Sequence, residues 1–224
     1  MDGEGSMRPI ESDRYQDYVI KDGEFIGAFE QMYQKFEDPW GSVKHVHSLK
    51  NDLLLALVSR VKGECHKVLH AGCGLGALSG RLRQTLSAEA EVWACDISET
   101  AVHKARAAHP GVHFFVHDLA EVDRLPEHVP GPVDAVLMAE TIWYILPHLE
   151  VILKGFHRLI RPGGHLFIQQ YFLQPGRQTY GKGRVEKPED LCRFIVQAGF
   201  KPHHALYLDP LSLHVFMGWY TKAE

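Results

Sequence analysis

The stretch that decides the fold is VLHAGCGLGALSG, Val68 to Gly80. An apolar run ends in four closely spaced glycines, and a helix-like pattern follows. The run reads as a strand, the glycines as a tight turn, and Ala77–Leu86 as a helix. A turn without Cβ atoms lets backbone approach a ligand closely, as a nucleotide cradle requires. Two spacings fit. Gly72, Gly74 and Ala77 form G-x-G-x-x-A, the dinucleotide fingerprint. Gly72, Gly74 and Gly76 form G-x-G-x-G.

Beyond this loop, strands alternate with helices. KVLHA, EVWACD, VHFFVHD, VDAVLMAE and HLFIQQYF read as strands. SETAVHKARAAH reads as a helix with Ser98 as N-cap, and residues 143–160 as largely helical. Pro188–Ala198 is a helix with Pro188 in its first turn and Gly199 just past its end. KPHHALYL and LSLHVFMGWYT have no helix between them, so they pair as an antiparallel hairpin. The expected fold is α/β: a Rossmann-like, doubly wound, seven-stranded sheet, mostly parallel, with a C-terminal antiparallel hairpin. Ligands on such sheets bind at the carboxyl ends of the strands, where strand order reverses. Ahead of the sheet, residues 24–36 place Phe25, Phe29, Met32, Tyr33 and Phe36 at helical spacing. A second helix is expected over residues 42–61, ended by Gly63. The expected division is an N-terminal helical lid over residues 7–62 and a core over residues 63–224, with residues 1–6 set aside as an appended segment.

Composition removes several function classes. The chain has 224 residues, 45% hydrophobic and 23% charged, which suits a globular domain. A net charge of −4 without a basic run argues against a nucleic-acid partner. No apolar stretch reaches the roughly 20 residues needed to span a bilayer. The N-terminus lacks an apolar signal region, and the four cysteines form no C-x-x-C pair, so a cytoplasmic location with reduced thiols is expected. His45-x-His47 and His203-His204 lack a third ligand at a recognisable spacing, so no metal is expected.

The residues after the strands bear on the cofactor, Asp96 fitting either reading of the loop and Asp118 discriminating between them. Asp96 ends the second strand, where a carboxylate can accept hydrogen bonds from both ribose hydroxyls. Asp118 ends the third strand, in FFVHDLAE. The glycine loop, Asp96, Asp118 and the closing hairpin together resemble class I S-adenosylmethionine-dependent methyltransferases over about residues 64–175. The resemblance implies that Gly72, Gly74, Gly76, His70, Asp96, Ile97, Asp118 and Leu119 bind S-adenosylmethionine and release S-adenosylhomocysteine. Ile97 would pack on the adenine, Asp118 would receive its amino group, and the Leu119 N–H would face the ring. His70 departs from the family pattern, which has Asp or Glu there to support the end carrying the methionine amino group. On that basis His70→Glu preserves or tightens binding.

The acceptor side is read from MAETIWYIL and from EDPWG. Asp38-Pro39-Trp40 ahead of the glycine loop, with Glu140 and Tyr144 after the fourth strand, is similar to nodulation-factor N-methyltransferases and to small enzymes of bacterial polysaccharide and natural-product clusters. That similarity implies a mobile N-terminal segment closing over cofactor and acceptor. Glu140, His47 and Tyr144 are the catalytic candidates, and Trp40 and Glu140 also the cofactor contacts on this side. Tyr33, His45, Trp143, His148 and Tyr171 are the acceptor-binding candidates. No Asn/Asp-Pro-Pro-aromatic sequence is present, which turns the reading away from planar amide and base amino acceptors. The expected activity is methyl transfer to an amine or hydroxyl of a small molecule, such as a sugar or a capsule or natural-product precursor. A nicotinamide oxidoreductase and an inactive methyltransferase-fold binding protein are the alternatives. A small-molecule partner is expected, with no membrane partner, and a homodimer is admitted.

Overall fold

The computed structural model describes residues 9–173, 177, 179–208 and 214–223. A 3-10 turn at Tyr15–Tyr18 leads into a two-stranded ribbon, β1 (Ile20–Lys21) and β2 (Glu24–Phe25). Asp22 and Gly23 join them with φ of 53° and 83°. Two successive left-handed residues are what a two-residue hairpin turn requires, and Asp-Gly supplies them at low cost. Helix α1 (Phe29–Lys35) and helix α2 (Leu49–Ser59) follow.

Both helices are shorter than the apolar spacing predicts. The ribbon and Gly27, at φ 69°, take up the start of the expected first helix. Residues 42–47 form turns, because the Asp38 carboxylate accepts from the Val43 and Lys44 N–H groups (both 3.1 Å) and from the Ser42 hydroxyl (3.2 Å). This side-chain turn competes with the helix ladder, so α2 starts only after Ser48, whose backbone is extended.

The core alternates as read: β3 (Lys67–Ala71), α3 (Ala77–Thr85), β4 (Glu91–Asp96), α4 (Glu99–Ala108), β5 (His113–Val116) and β6 (Val133–Ala139). Next come α5 (Ile142–Ile145), α6 (Leu149–Leu159), β7 (Ile160–Phe172), α7 (Pro188–Gln197), β8 (Phe200–Leu208) and β9 (His214–Lys222). Pro147 lies in a 3-10 turn, Leu146–His148, which divides the expected 143–160 helix into α5 and α6. Strand order is β5-β4-β3-β6-β7-β9-β8. Strands β3 to β7 run parallel, and β9 pairs antiparallel with both β7 and β8. The seven-stranded, Rossmann-like sheet with its closing hairpin is therefore present.

Alternation along β6 shows why the sheet is covered on both faces. Val136 and Met138 enter one apolar cluster with α6 and α7, while Ala135 and Leu137 enter another with α2, α3 and α4. The chain winds outward from β3 to β5, then returns to β6 on the other side of β3. The carboxyl ends of β3 and β6 thus flank the switch point, where a ligand crevice forms. A third cluster joins Met32 and Tyr33 of α1 to Leu75 of the glycine loop and Ala101 of α4, so the N-terminal segment lies over that end of the sheet.

Candidate active site

At the switch point the glycine loop has the backbone that the sequence demands. Gly72, Gly74 and Gly76 all have φ between 54° and 76°. A Cβ on Gly72 would lie 2.5 Å from Thr141 Oγ1, and one on Gly76 would lie 2.7 Å from the Phe114 ring. The loop is fastened by Asp96, which accepts from the Gly74 N–H (2.7 Å) and the Ser98 N–H (3.1 Å). Burial raises the pKa of Asp96, and the backbone donors of Ser98, Gly74 and Ile97 offset part of the rise. Ser98 caps α4 through the Ala101 N–H, as its position predicts.

Apolar surface flanks this carboxylate. Ile97 is 47% exposed and Val116 40%, which is unusual for large apolar side chains at the ends of core strands. Asp118 is exposed and accepts from the Ala120 N–H (2.9 Å), starting a 3-10 turn at the buried Leu119. His70 is buried, its Nδ1 lies 2.7 Å from Ser79 Oγ, and burial pushes its pKa down to about 4.

The other end of the crevice centres on Glu140. Its φ is 59°, a left-handed conformation that costs a non-glycine residue about 1–3 kcal/mol and that clusters at functional sites. The Lys50 ammonium donates to its Oε1 (2.7 Å), and the Tyr171 N–H donates to its Oε2 (2.8 Å). Gln169 and Gln170 approach at 3.4 Å each. Tyr144 stands beside it, its hydroxyl pKa pushed up by burial and then by the Glu140 charge. Trp143 donates to the Tyr171 carbonyl (2.9 Å) and packs edge-on against Phe172.

The N-terminal segment roofs both ends. Trp40 Nε1 donates to Tyr33 Oη (3.1 Å), and a Cβ on Gly74 would come within 2.8 Å of that hydroxyl. Trp40 and Phe29 both pack on Tyr144, with ring centroids at 5.5 and 5.3 Å. Glu30 fixes the roof to the start of α4, accepting from the Ser98 hydroxyl (2.6 Å) and from the Thr100 N–H (3.1 Å). Burial raises the Glu30 pKa, but these donors outweigh it and hold the carboxyl below its ordinary value.

Tyr33, Trp40, Glu140, Trp143, Tyr144 and Tyr171 are therefore brought together, and Gly72, Gly74, Gly76, Asp96, Ile97, Asp118 and Leu119 form the neighbouring end. His45 and His47 sit on exposed turns. His47 lines a cavity of about 560 Å³ with Arg81, Gln84, Lys104 and His109, beside the glycine loop's Leu75. His148 is exposed on its 3-10 turn. Sequence reading missed Glu30, Lys50, Ser79 and Phe29. Lys50 and Glu140 are 90 residues apart, and no local spacing announces such a pair.

Residues 68–164 match a family model described as a methyltransferase domain. A ubiquinone biosynthesis O-methyltransferase of Xylella fastidiosa is 32% identical over 200 residues, covering 84% of this chain and 79% of that protein. The chain belongs to the class I S-adenosylmethionine-dependent methyltransferases. The enzyme of the same name from Cupriavidus pinatubonensis is 28% identical over 194 residues, covering 78% of this methyltransferase and 76% of its own length. In fold, the methyltransferase is similar to the N-methyltransferase NodS of Bradyrhizobium japonicum WM9 in complex with S-adenosylhomocysteine. That likeness has a TM-score of 0.69 at 15% identity, covering 87% of this chain and 98% of the other. Magnesium protoporphyrin IX methyltransferase of Synechocystis PCC 6803 with bound S-adenosylmethionine superposes with a TM-score of 0.60 at 20% identity, covering 94% and 90%.

The cofactor is S-adenosylmethionine. The crevice suits it: the left-handed glycine cradle admits close approach, and the exposed Ile97 and Val116 offer apolar surface beside the carboxylates of Asp96 and Asp118. Among the described residues, no helix is long and apolar enough to cross a membrane, and no cluster of three candidate metal ligands occurs.

Proposed function

We propose that this methyltransferase methylates a hydroxyl group of a small molecule held between Glu140 and the aromatic roof. The observation that carries the reading is the Glu140 carboxylate, presented at a strand end in a strained conformation and steadied by Lys50 and the Tyr171 N–H. A hydroxyl must lose its proton as it is methylated, and a carboxylate within hydrogen-bond reach can take it. Lys50 offsets the charge on Glu140 between turnovers. Tyr144, with its raised pKa, stays protonated and serves as a hydrogen-bond donor. When bound, the cofactor supplies an electrophilic methyl group on a sulfonium. Gly72, Gly74, Gly76, Asp96, Ile97, Asp118 and Leu119 hold it, and Trp40, Tyr33 and Phe29 exclude water as a lid formed by the N-terminal segment. Trp143 and Tyr171 face the acceptor, while His45, His47 and His148 have no part in this scheme.

The names of the relatives, O-methyltransferases, support oxygen as the nucleophile. An amine is the second reading, because the Glu140 charge suits an ammonium group that replaces Lys50. The test offers phenols, sugar hydroxyls and amines with S-adenosylmethionine and detects methylated product by mass spectrometry. Product from the hydroxyl set supports the proposal. Product from amines alone overturns it, and tight cofactor binding without product from any set turns the reading to a binding protein.

A further inference from the structure

Among the described residues, six buried side-chain polar atoms lack a hydrogen-bond partner; two of them lie on one face of the sheet and a third at the start of the helix that covers it. His70, Leu137 and Phe167 form one row across the sheet, on the face that α2 and α3 cover. Gln169, two residues beyond Phe167, is on the same face and donates to Asn51 of α2 (3.2 Å). Ser48 precedes the first turn of α2. The unpartnered atoms are His70 Nε2, Gln169 Oε1 and Ser48 Oγ. Ala139 pairs with Gln169 in the register, so a small side chain separates the polar ones. Glu140, next in the chain, takes its Lys50 contact from the same α2.

The protons on His70 are tied to Ser79. The Ser79 side chain is fully buried, and its hydroxyl has His70 Nδ1 as its hydrogen-bond partner at 2.7 Å. In one tautomer the hydroxyl donates to Nδ1 and the Nε2–H is left unpaired; in the other Nδ1–H donates to the hydroxyl, whose own proton is left unpaired. An acceptor beside Nε2 would select the first tautomer and satisfy both donors. Burial keeps the ring neutral at physiological pH. The first tautomer leaves a buried N–H, on the strand that leads into the glycine loop, with no partner within the protein. Buried donors are rarely left so, and each one invites an explanation.

We propose that His70 Nε2–H binds the methionine carboxylate of S-adenosylmethionine, so that this position reads the anionic end of the cofactor and not its ammonium. A carboxylate in place of His70 would then face another carboxylate. This reverses the expectation that His70→Glu preserves or tightens binding, and the proposal stands apart from which acceptor is methylated.

Calorimetry with S-adenosylhomocysteine and with its decarboxylated analogue tests it. The wild-type protein is expected to bind S-adenosylhomocysteine at least tenfold more tightly than the analogue. His70→Glu is expected to lose about tenfold for S-adenosylhomocysteine with no loss for the analogue, while His70→Gln, which keeps a donor, loses less. A His70→Glu variant that binds S-adenosylhomocysteine as well as wild type, or equal losses for both ligands, overturns the proposal. Ring ¹⁵N spectroscopy on the wild-type protein gives a reading that needs no variant to fold. Protonation at Nε2, with a shift of that nitrogen on adding S-adenosylhomocysteine but not the analogue, supports the assignment. A proton on Nδ1 overturns it.

Discussion

Asp96 and Glu140 are both carboxylates at the end of a core strand, yet they are held in different ways. Asp96 is gripped by backbone N–H groups of Gly74 and Ser98 from its own neighbourhood, and burial raises its pKa. Glu140 is gripped by an ammonium from α2 and a backbone donor from β7, and it carries the strain in its own backbone. The crevice end proposed to hold the cofactor is thus a backbone-built cradle flanked by the exposed Ile97 and Val116. The end proposed to take the acceptor is a meeting of side chains from three elements, with about a third of the Lys50 and Glu140 side chains exposed. A backbone cradle fixes one ligand shape, whereas a side-chain corner can be re-specified by changing single residues.

The burial of the His70 ring can be broken by pH. The His70 pKa is lowered by burial to about 4, so the unfolded chain binds a proton that the folded chain refuses. Its contribution to stability is complete above pH 6.5 and is lost as pH falls toward 4. At about 1.4 kcal/mol per unit this amounts to about 3 kcal/mol. Denaturant titrations of wild type and His70→Gln should diverge in slope across that window. Parallel curves would mean that the ring is hydrated.

Asp96→Ala tests the cradle itself. Loss of the carboxylate should weaken S-adenosylhomocysteine binding at least tenfold by calorimetry, about 1.4 kcal/mol or more. Unchanged affinity would detach Asp96 from the cofactor and leave it as a loop fastener. Glu140→Gln should act oppositely, lowering turnover about tenfold, within the range of a lost proton acceptor, with cofactor affinity nearly kept. Equal losses in both measurements would make Glu140 a cofactor ligand and erase the contrast. Lys50→Met should have the smallest effect. A pair about a third exposed contributes about 0–1 kcal/mol, so a change of up to fivefold in turnover is expected, read most clearly as a shift in the pH–rate profile.

The same contrast explains what could be read from the chain. The glycine loop, Asp96 and the Ser98 cap are local, each fixed by residues within a few positions of a strand end, so spacing reveals them. The sheet follows from apolar runs such as VDAVLMA, which look the same wherever they pair. Helix starts near the N-terminus were not legible, because Asp38 diverts three donors into a turn and Asp22-Gly23 folds a ribbon where apolar spacing suggests a helix. The Asp-Gly pair was the available signal. Lys50, Glu30 and Ser79 were hidden for a different reason: each gains its meaning only from a partner on another element, at separations of 90, 68 and 9 residues.

The position of β9 has a consequence for how the polypeptide is made. Strand β8 has no neighbour other than β9, and β9 also completes the edge of β7. During synthesis, β8 emerges before the strand that seats it, and two ladders of unpaired backbone groups stand open until residues 214–222 arrive. Open strand edges recruit other chains. Nascent chains stalled short of β9 should therefore be the aggregation-prone species, and chaperone demand should fall once β9 has emerged.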